Sequence, residues 1–152
     1  MGSFRPVFFL LAVLLIPPGL SPPWAQAAVL PADPAALIGL SLENLLSRFG
    51  APRMVYAARG NEEWQDDVVF TYEEADFYVY KDRVWQIGLK AAYGIRLGDP
   101  RPAVILTLGE EAEDFEDHIL LALPSKGWPL AFRVNVNESG FVSALFVYRS
   151  DF

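Results

Sequence analysis

The 152-residue sequence has no cysteine. That absence excludes disulfides, thiolate nucleophiles and zinc–thiolate sites, so an exported form of this chain must be held by its core alone. It also excludes the lipidated cysteine of a bacterial lipoprotein. Histidine is almost missing: His118 is the single one, and no Gly-x-Ser-x-Gly or similar elbow offers a nucleophile for a Ser-His-Asp arrangement. No Gly-x-Gly-x-x-Gly occurs, and no Lys-Ser/Thr pair follows Gly94 and Gly98, so no phosphate loop is read there. Basic side chains are few, 12 against 19 acidic ones, for a net charge of −7. This balance repels phosphate backbones and anionic lipid surfaces, and no nucleic-acid partner is expected. Long apolar runs are absent apart from Val7 to Ile16, and ten helical residues rise about 15 Å, roughly half a hydrocarbon core.

What is present is 53% apolar and 14% aromatic residues, a composition that suits a folded domain and not a disordered tail. Residues 1–27 have the three-part layout of a secretory signal: Arg5 near the amino terminus, the apolar run, then Pro17, Pro18 and small residues ending in Ala25-Gln26-Ala27-Ala28. Cleavage after Ala27 and a periplasmic or secreted location are expected. A retained membrane anchor is the alternative.

Residues 28–36, with Pro31 and Pro34, read as an extended lead-in. In the first unit, 37–92, Leu42, Leu45, Leu46 and Phe49 recur at helical spacing between a capping Ser41 and a terminating Gly50. Pro52 follows, then candidate strands over 53–58, 67–72, 75–80 and 83–89. The second unit, 93–152, repeats the plan. Asp99 is read as the cap, Pro100 as the first helical residue, Val104, Ile105 and Leu108 as the apolar stripe, and Gly109 as the stop. Strands over 118–123, 129–136 and 141–148 follow, with a hairpin turn over Asn137 to Gly140. The reading is an α+β fold of two helix-plus-antiparallel-meander units. Gly39, Leu45, Leu46, Phe49 and Gly50 fall on Gly98, Val104, Ile105, Leu108 and Gly109 at an offset of 59, and the closing strands align at 58. This shared spacing reads as an internal duplication.

Gly39, Leu42, Leu45, Leu46, Phe49, Gly50 and Pro52, followed by Trp64, Phe77, Tyr80, Asp82, Val84 and Ile87, form a pattern that resembles the BamE-like (SmpA/OmlA) envelope domain and the related β-lactamase-inhibitor-protein fold. Gly98, Val104, Leu108, Gly109, Phe132, Gly140, Val142 and Leu145 carry a weaker copy. The resemblance implies helices packed on one side of an antiparallel sheet, protein binding at the cell envelope and no catalysis.

The acidic run Glu110, Glu111, Glu113, Asp114, Glu116 and Asp117 lacks the Asp-x-Asp-x-Asp-Gly spacing of a calcium loop and reads as a solvated connection, with calcium or a basic partner as alternatives. The same reading applies to Glu62, Glu63, Asp66 and Asp67. No catalytic residue, cofactor or metal site is assigned. Trp64, Tyr78, Tyr80, Trp85 and Trp128 are the candidate partner-binding residues, because large amphipathic rings dominate protein interfaces. In a meander with one covered face, either Tyr78 with Tyr80 or Phe77 with Val79 must point outward. The expected function is therefore an exported, non-enzymatic module that binds another envelope or secreted protein through an exposed sheet face. The rivals are a carrier of a small apolar ligand or lipid, held in a cavity between helices and sheet, and a small hydrolase using paired carboxylates.

Overall fold

The computed structural model describes residues 29–59 and 67–151. The signal segment, the turn at Gly60-Asn61-Glu62 and Trp64 lie outside the described residues. The lead-in does not stay extended: Asp33 accepts a hydrogen bond from the Ala35 amide at 3.0 Å and caps a 3-10 turn over Pro34–Leu37, which delivers Leu37 fully into the core. Helix α1 spans Leu42–Phe49. Its free amides are met twice, the Ser41 hydroxyl accepting from Asn44 N at 3.2 Å and the Asp82 carboxylate from Leu42 N at 3.1 Å. Leu45 and Phe49 sit one turn apart and bury the inward stripe. Gly50 closes the helix at φ 72°, a conformation that side-chain-bearing residues seldom adopt.

Helix α2 spans Arg101–Leu108 and starts one residue later than its sequence suggests. Pro100 occupies the cap position without a side-chain bond, while the Asp99 carboxylate is engaged by the Arg96 amide at 2.7 Å. Only Val104 is buried in α2, and Leu106 is 86% exposed. Its apolar residues surround the helix without forming one stripe.

The strands are β1 (Met54–Ala58), β2 (Asp67–Thr71), β3 (Ala75–Tyr80), β4 (Arg83–Leu89), β5 (Ala91–Ala92), β6 (Ile95–Arg96), β7 (Glu113–Asp114), β8 (His118–Leu123), β9 (Leu130–Val136) and β10 (Val142–Arg149). Apart from the small β5–β6 hairpin, they form one antiparallel sheet of eight strands in the order β1-β2-β3-β4-β10-β9-β8-β7. This corrects the expected α+β fold of two helix-plus-meander units. Strand β4 pairs with β10 from Leu89 opposite Leu145 to Gln86 opposite Tyr148, so neither meander keeps a free edge there and the sheet runs through. With two α-helices of eight residues each among the described residues, this part of the chain is β-rich.

The helix-to-strand joints on the two sides of this seam use the same bonds. Gly39 N donates to the Val84 carbonyl at 2.8 Å and Gly98 N to the Val142 carbonyl at 2.9 Å, with both glycines at φ 87°. Val84 N donates to the Leu40 carbonyl and Val142 N to the Asp99 carbonyl, each at 2.9 Å. A register shift skips Trp85 in β4 and Ser143 in β10. On the helix side, Leu37, Leu45, Phe77, Val84, Ile87, Val104, Ile119, Phe132, Val134, Leu145 and Val147 pack in one cluster drawn from both ends of the sheet.

A single core across the seam predicts a single unfolding event. Phe77→Ala should cost about 3–5 kcal/mol. In urea, tryptophan fluorescence and far-ultraviolet circular dichroism should shift together; two separated transitions would show the halves unfolding independently.

Candidate functional site: the open face of the sheet

Strand alternation decides which residues face away from the helices. In β3, Ala75, Phe77 and Val79 are buried while Asp76, Tyr78 and Tyr80 are only partly covered. The cross-strand register carries the same division through the sheet: Tyr56, Val69, Tyr78 and Gln86 share the second face, as do Tyr148 and Phe146 beyond the seam. Among the described residues, no helix lies over this face, since both helices bury their inward residues in the opposite cluster.

The face is an aromatic surface with a buried acid in it. Asp67, 8% exposed, is the buried charged residue among those described. The indole N–H of Trp85 donates to its carboxylate at 2.8 Å, a contact made possible by the register shift that skips Trp85. Val69 has no exposure although it points to this face, because Tyr56 and Tyr78 flank it on the adjoining strands. Burial, then the charges and the hydrogen bond around it involving Tyr56, Asp76 and Asp67, push the Tyr78 hydroxyl from 10.0 up to about 12.

Gly88 occupies the middle, paired with Asp76 on one side and Phe146 on the other. A methyl group there would come 3.5 Å from the Phe146 ring and 3.6 Å from Asp76 Cβ. Its absence opens a groove of about 440 Å³, bordered by Asp76, Tyr78, Gly88, Lys90 and Phe146. Tyr78 meets Phe146 edge-on, ring centres 6.5 Å apart and planes at 73°.

Toward the far edge, Asp117 accepts from His118 Nδ1 at 2.6 Å and lies 3.6 Å from the Arg133 guanidinium. The His118 hydrogen bond is the main cause holding the Asp117 carboxyl below the usual range. His118 stacks on Phe115, and the neighbouring Ser143 hydroxyl donates to the Asn135 carbonyl at 3.3 Å. The acidic run is organised by Arg101, which holds the Asp114 carboxylate at 2.5 Å and the carbonyls of Phe115 and Glu116. Among the described residues, no three acidic or histidine side chains converge as a metal cage.

Of the sequence candidates, Tyr78, Tyr80 and Trp85 come together on the open face. Trp128 does not join them: it packs against Gly39, with the Arg149 guanidinium 4.6 Å from the indole centre. Trp64 lies outside the described residues. Tyr56, Phe146 and Tyr148 were not singled out by sequence, although alternation in Ala144-Leu145-Phe146-Val147-Tyr148 carries the signal for two of them; Asp67, read from sequence as part of a solvated acidic stretch, is instead buried at the start of β2, where the Trp85 indole reaches it. On the helix side, a second cavity of about 410 Å³ lies between the end of α1 and the β2–β3 turn, lined by Leu30, Phe49, Tyr72, Ala75 and Phe77.

No protein-family model matches the chain, and no curated protein is significantly similar to it. Among solved structures, it is similar to an extracellular protein containing an SCP domain from Bacillus anthracis str. Ames, with 13% identity and a TM-score of 0.48. The likeness covers 76% of this chain and 45% of that one, so the chain spans less than half the length of this structural neighbour. No helix among the described residues is long and apolar enough to cross a membrane.

Tyr78 gives this face a pH signature. Because its folded value is raised, the folded chain keeps a proton that the unfolded chain loses near pH 10. The associated stability is present in full below pH 10 and is lost as pH rises through about 12. Burial also raises Tyr72 and Tyr93, so the Tyr78 ring is followed individually by nuclear magnetic resonance: it should ionise near pH 12 and shift partway toward 10 in Tyr56→Phe. An unchanged Tyr78 midpoint in that variant would contradict the contact.

Proposed function

We propose that this chain is an exported, non-enzymatic module that binds another periplasmic or secreted protein through the open face of its sheet. The observation that carries this reading is the clustering of Tyr56, Tyr78, Trp85, Phe146 and Tyr148 on the face that no described helix covers. Aromatic rings with polar tips suit such contact: they bring large area at low entropic cost, and the tyrosine hydroxyls supply polar pairing. The Gly88 groove gives the surface the concavity into which a partner side chain fits. The signal-like layout of residues 1–27 in the sequence supports export.

Affinity capture from an envelope fraction with tagged protein tests the reading. Capture of a stoichiometric protein should weaken at least about tenfold in Tyr78→Ala and Phe146→Ala, which truncate the proposed anchors. It should be unchanged in Leu106→Ala on the helix side. Equal loss in all three variants, or no stoichiometric protein, contradicts it.

The cavity beside Leu30, Phe49 and Phe77 favours a second reading, a carrier of a small apolar ligand. A lipid extract of the purified chain should then hold one compound in stoichiometric amount, displaced when Ala75→Leu fills the cavity.

A further inference from the structure

Asp76 and Tyr78 point to the open face from β3, and the register sets Gly88 opposite Asp76, with Phe146 on the far side of the glycine. A side chain at position 88 would cover the Asp76 carboxylate from the next strand; glycine covers nothing. Asp76 is partly buried, and no described residue gives its carboxylate an ion pair or a hydrogen bond. The cations nearby are engaged elsewhere or stand off. Arg53 lies 3.0 Å from Glu73. Arg133, the neighbour of Phe146 on β9, donates to Asn135 at 2.7 Å and lies 3.6 Å from Asp117. Lys90, at the rim, is exposed and pairs with no acid among the described residues. The Asp76 carboxylate has therefore lost part of its hydration without gaining a partner, and of the charges around the groove it is the one with most to gain from one. Its charge already reaches the Tyr78 hydroxyl, where it is among the causes that hold the proton on.

We propose that the Gly88 groove seats an arginine side chain of the partner protein, its guanidinium forked onto the Asp76 carboxylate and laid against the Phe146 ring. The proposal rests on the reading of the open face as a protein-binding surface and names the side chain that this surface recognises. Three features select arginine. A methyl group at position 88 would sit 3.5 Å from Phe146 and 3.6 Å from Asp76 Cβ, so the floor is about one group wide and takes a flat group in preference to a bulky one. A guanidinium presents two parallel N–H donors to a carboxylate and stacks on an aromatic ring, whereas an ammonium is a more strongly hydrated point charge. The chain as a whole carries −7, which draws a basic partner and repels an acidic one. Lys90 does not reverse this choice: being exposed, it keeps its hydration with or without an acid beside it, and such a pair contributes little.

The test uses acetyl-Gly-Arg-Gly-amide as probe, titrated into the isotope-labelled chain and followed by nuclear magnetic resonance. Saturable shifts should centre on Asp76, Tyr78, Gly88 and Phe146. Citrulline in place of the arginine keeps the shape and removes the charge, and should weaken binding about tenfold or more. Asp76→Asn should cause the same loss, whereas Glu138→Gln, which removes one negative charge from the exposed Asn137 to Gly140 turn, should not. Gly88→Ala adds a methyl group at ordinary contact distance from its neighbours, so the variant should fold and yet lose the probe. The proposal is overturned by absence of saturable shifts, by equal binding of the citrulline peptide, by equal loss in Glu138→Gln, or by tighter binding of acetyl-Gly-Glu-Gly-amide. A protein captured from the envelope fraction should be lost in Asp76→Asn as in Phe146→Ala; its loss in Phe146→Ala with retention in Asp76→Asn would overturn the arginine assignment and leave the open-face reading in place.

Discussion

The pairing of β4 with β10 is the constraint on which the rest of the molecule depends. It puts the last strands of the two meanders side by side, with Gly88 opposite Phe146. Because that row is shared, both meanders must present their apolar residues on the same side. A slip of one residue at the seam would turn Ile87 and Leu89 out of the core and Gln86 and Gly88 into it. The helices follow from the register: each joins the chain just before a strand, through the paired Gly39–Val84 and Gly98–Val142 bonds, and each drops one residue, Leu45 or Val104, fully into the common core.

The same row sets the character of the other face. A side chain at position 88 would fill the space between Asp76 and Phe146; glycine leaves a groove where the two segments meet. The register shift at Trp85 brings an indole N–H to Asp67, giving a buried carboxylate a charge-assisted partner. At the other shift the residue is Ser143, whose small hydroxyl reaches only the Asn135 carbonyl. The two sides of the seam thus share a backbone while differing in surface, with Tyr56, Tyr78, Trp85, Phe146, Tyr148 and the buried Asp67 lying between β1 and β10.

Local features were readable in the sequence wherever one short-range interaction decides them. Ser41 and Gly50 bound α1 because a hydroxyl cap and a left-handed glycine act within a single turn. The alternation in β3 limited the outward pair to Tyr78 with Tyr80 or Phe77 with Val79, and the core chose the first. Asp99 misled because its carboxylate serves the Arg96 amide, a competition between turn and helix that spacing does not resolve. The fold class misled for a longer-range reason: nothing in the pattern of β4 or β10 distinguishes two strands that each close a unit from two strands that pair with one another. Phe146 and Tyr148 were overlooked as surface residues for that same reason, since their places opposite Gly88 and Gln86 exist only after the seam forms. Trp128 was grouped with the sheet-face aromatics from its ring alone; it lies against Gly39, away from Tyr78 and Trp85, and stays 42% exposed.

A face of aromatic rings, open on one side of a sheet whose other side is filled, is the functional centre of this account. The most direct measurement places a photo-crosslinking amino acid at Phe146 on the open face, and separately at Leu106 on α2, in the chain expressed in its host and exported. A discrete protein adduct from position 146 and none from position 106 is the result expected. Adducts of the same protein from both positions, or from position 106 alone, would contradict it.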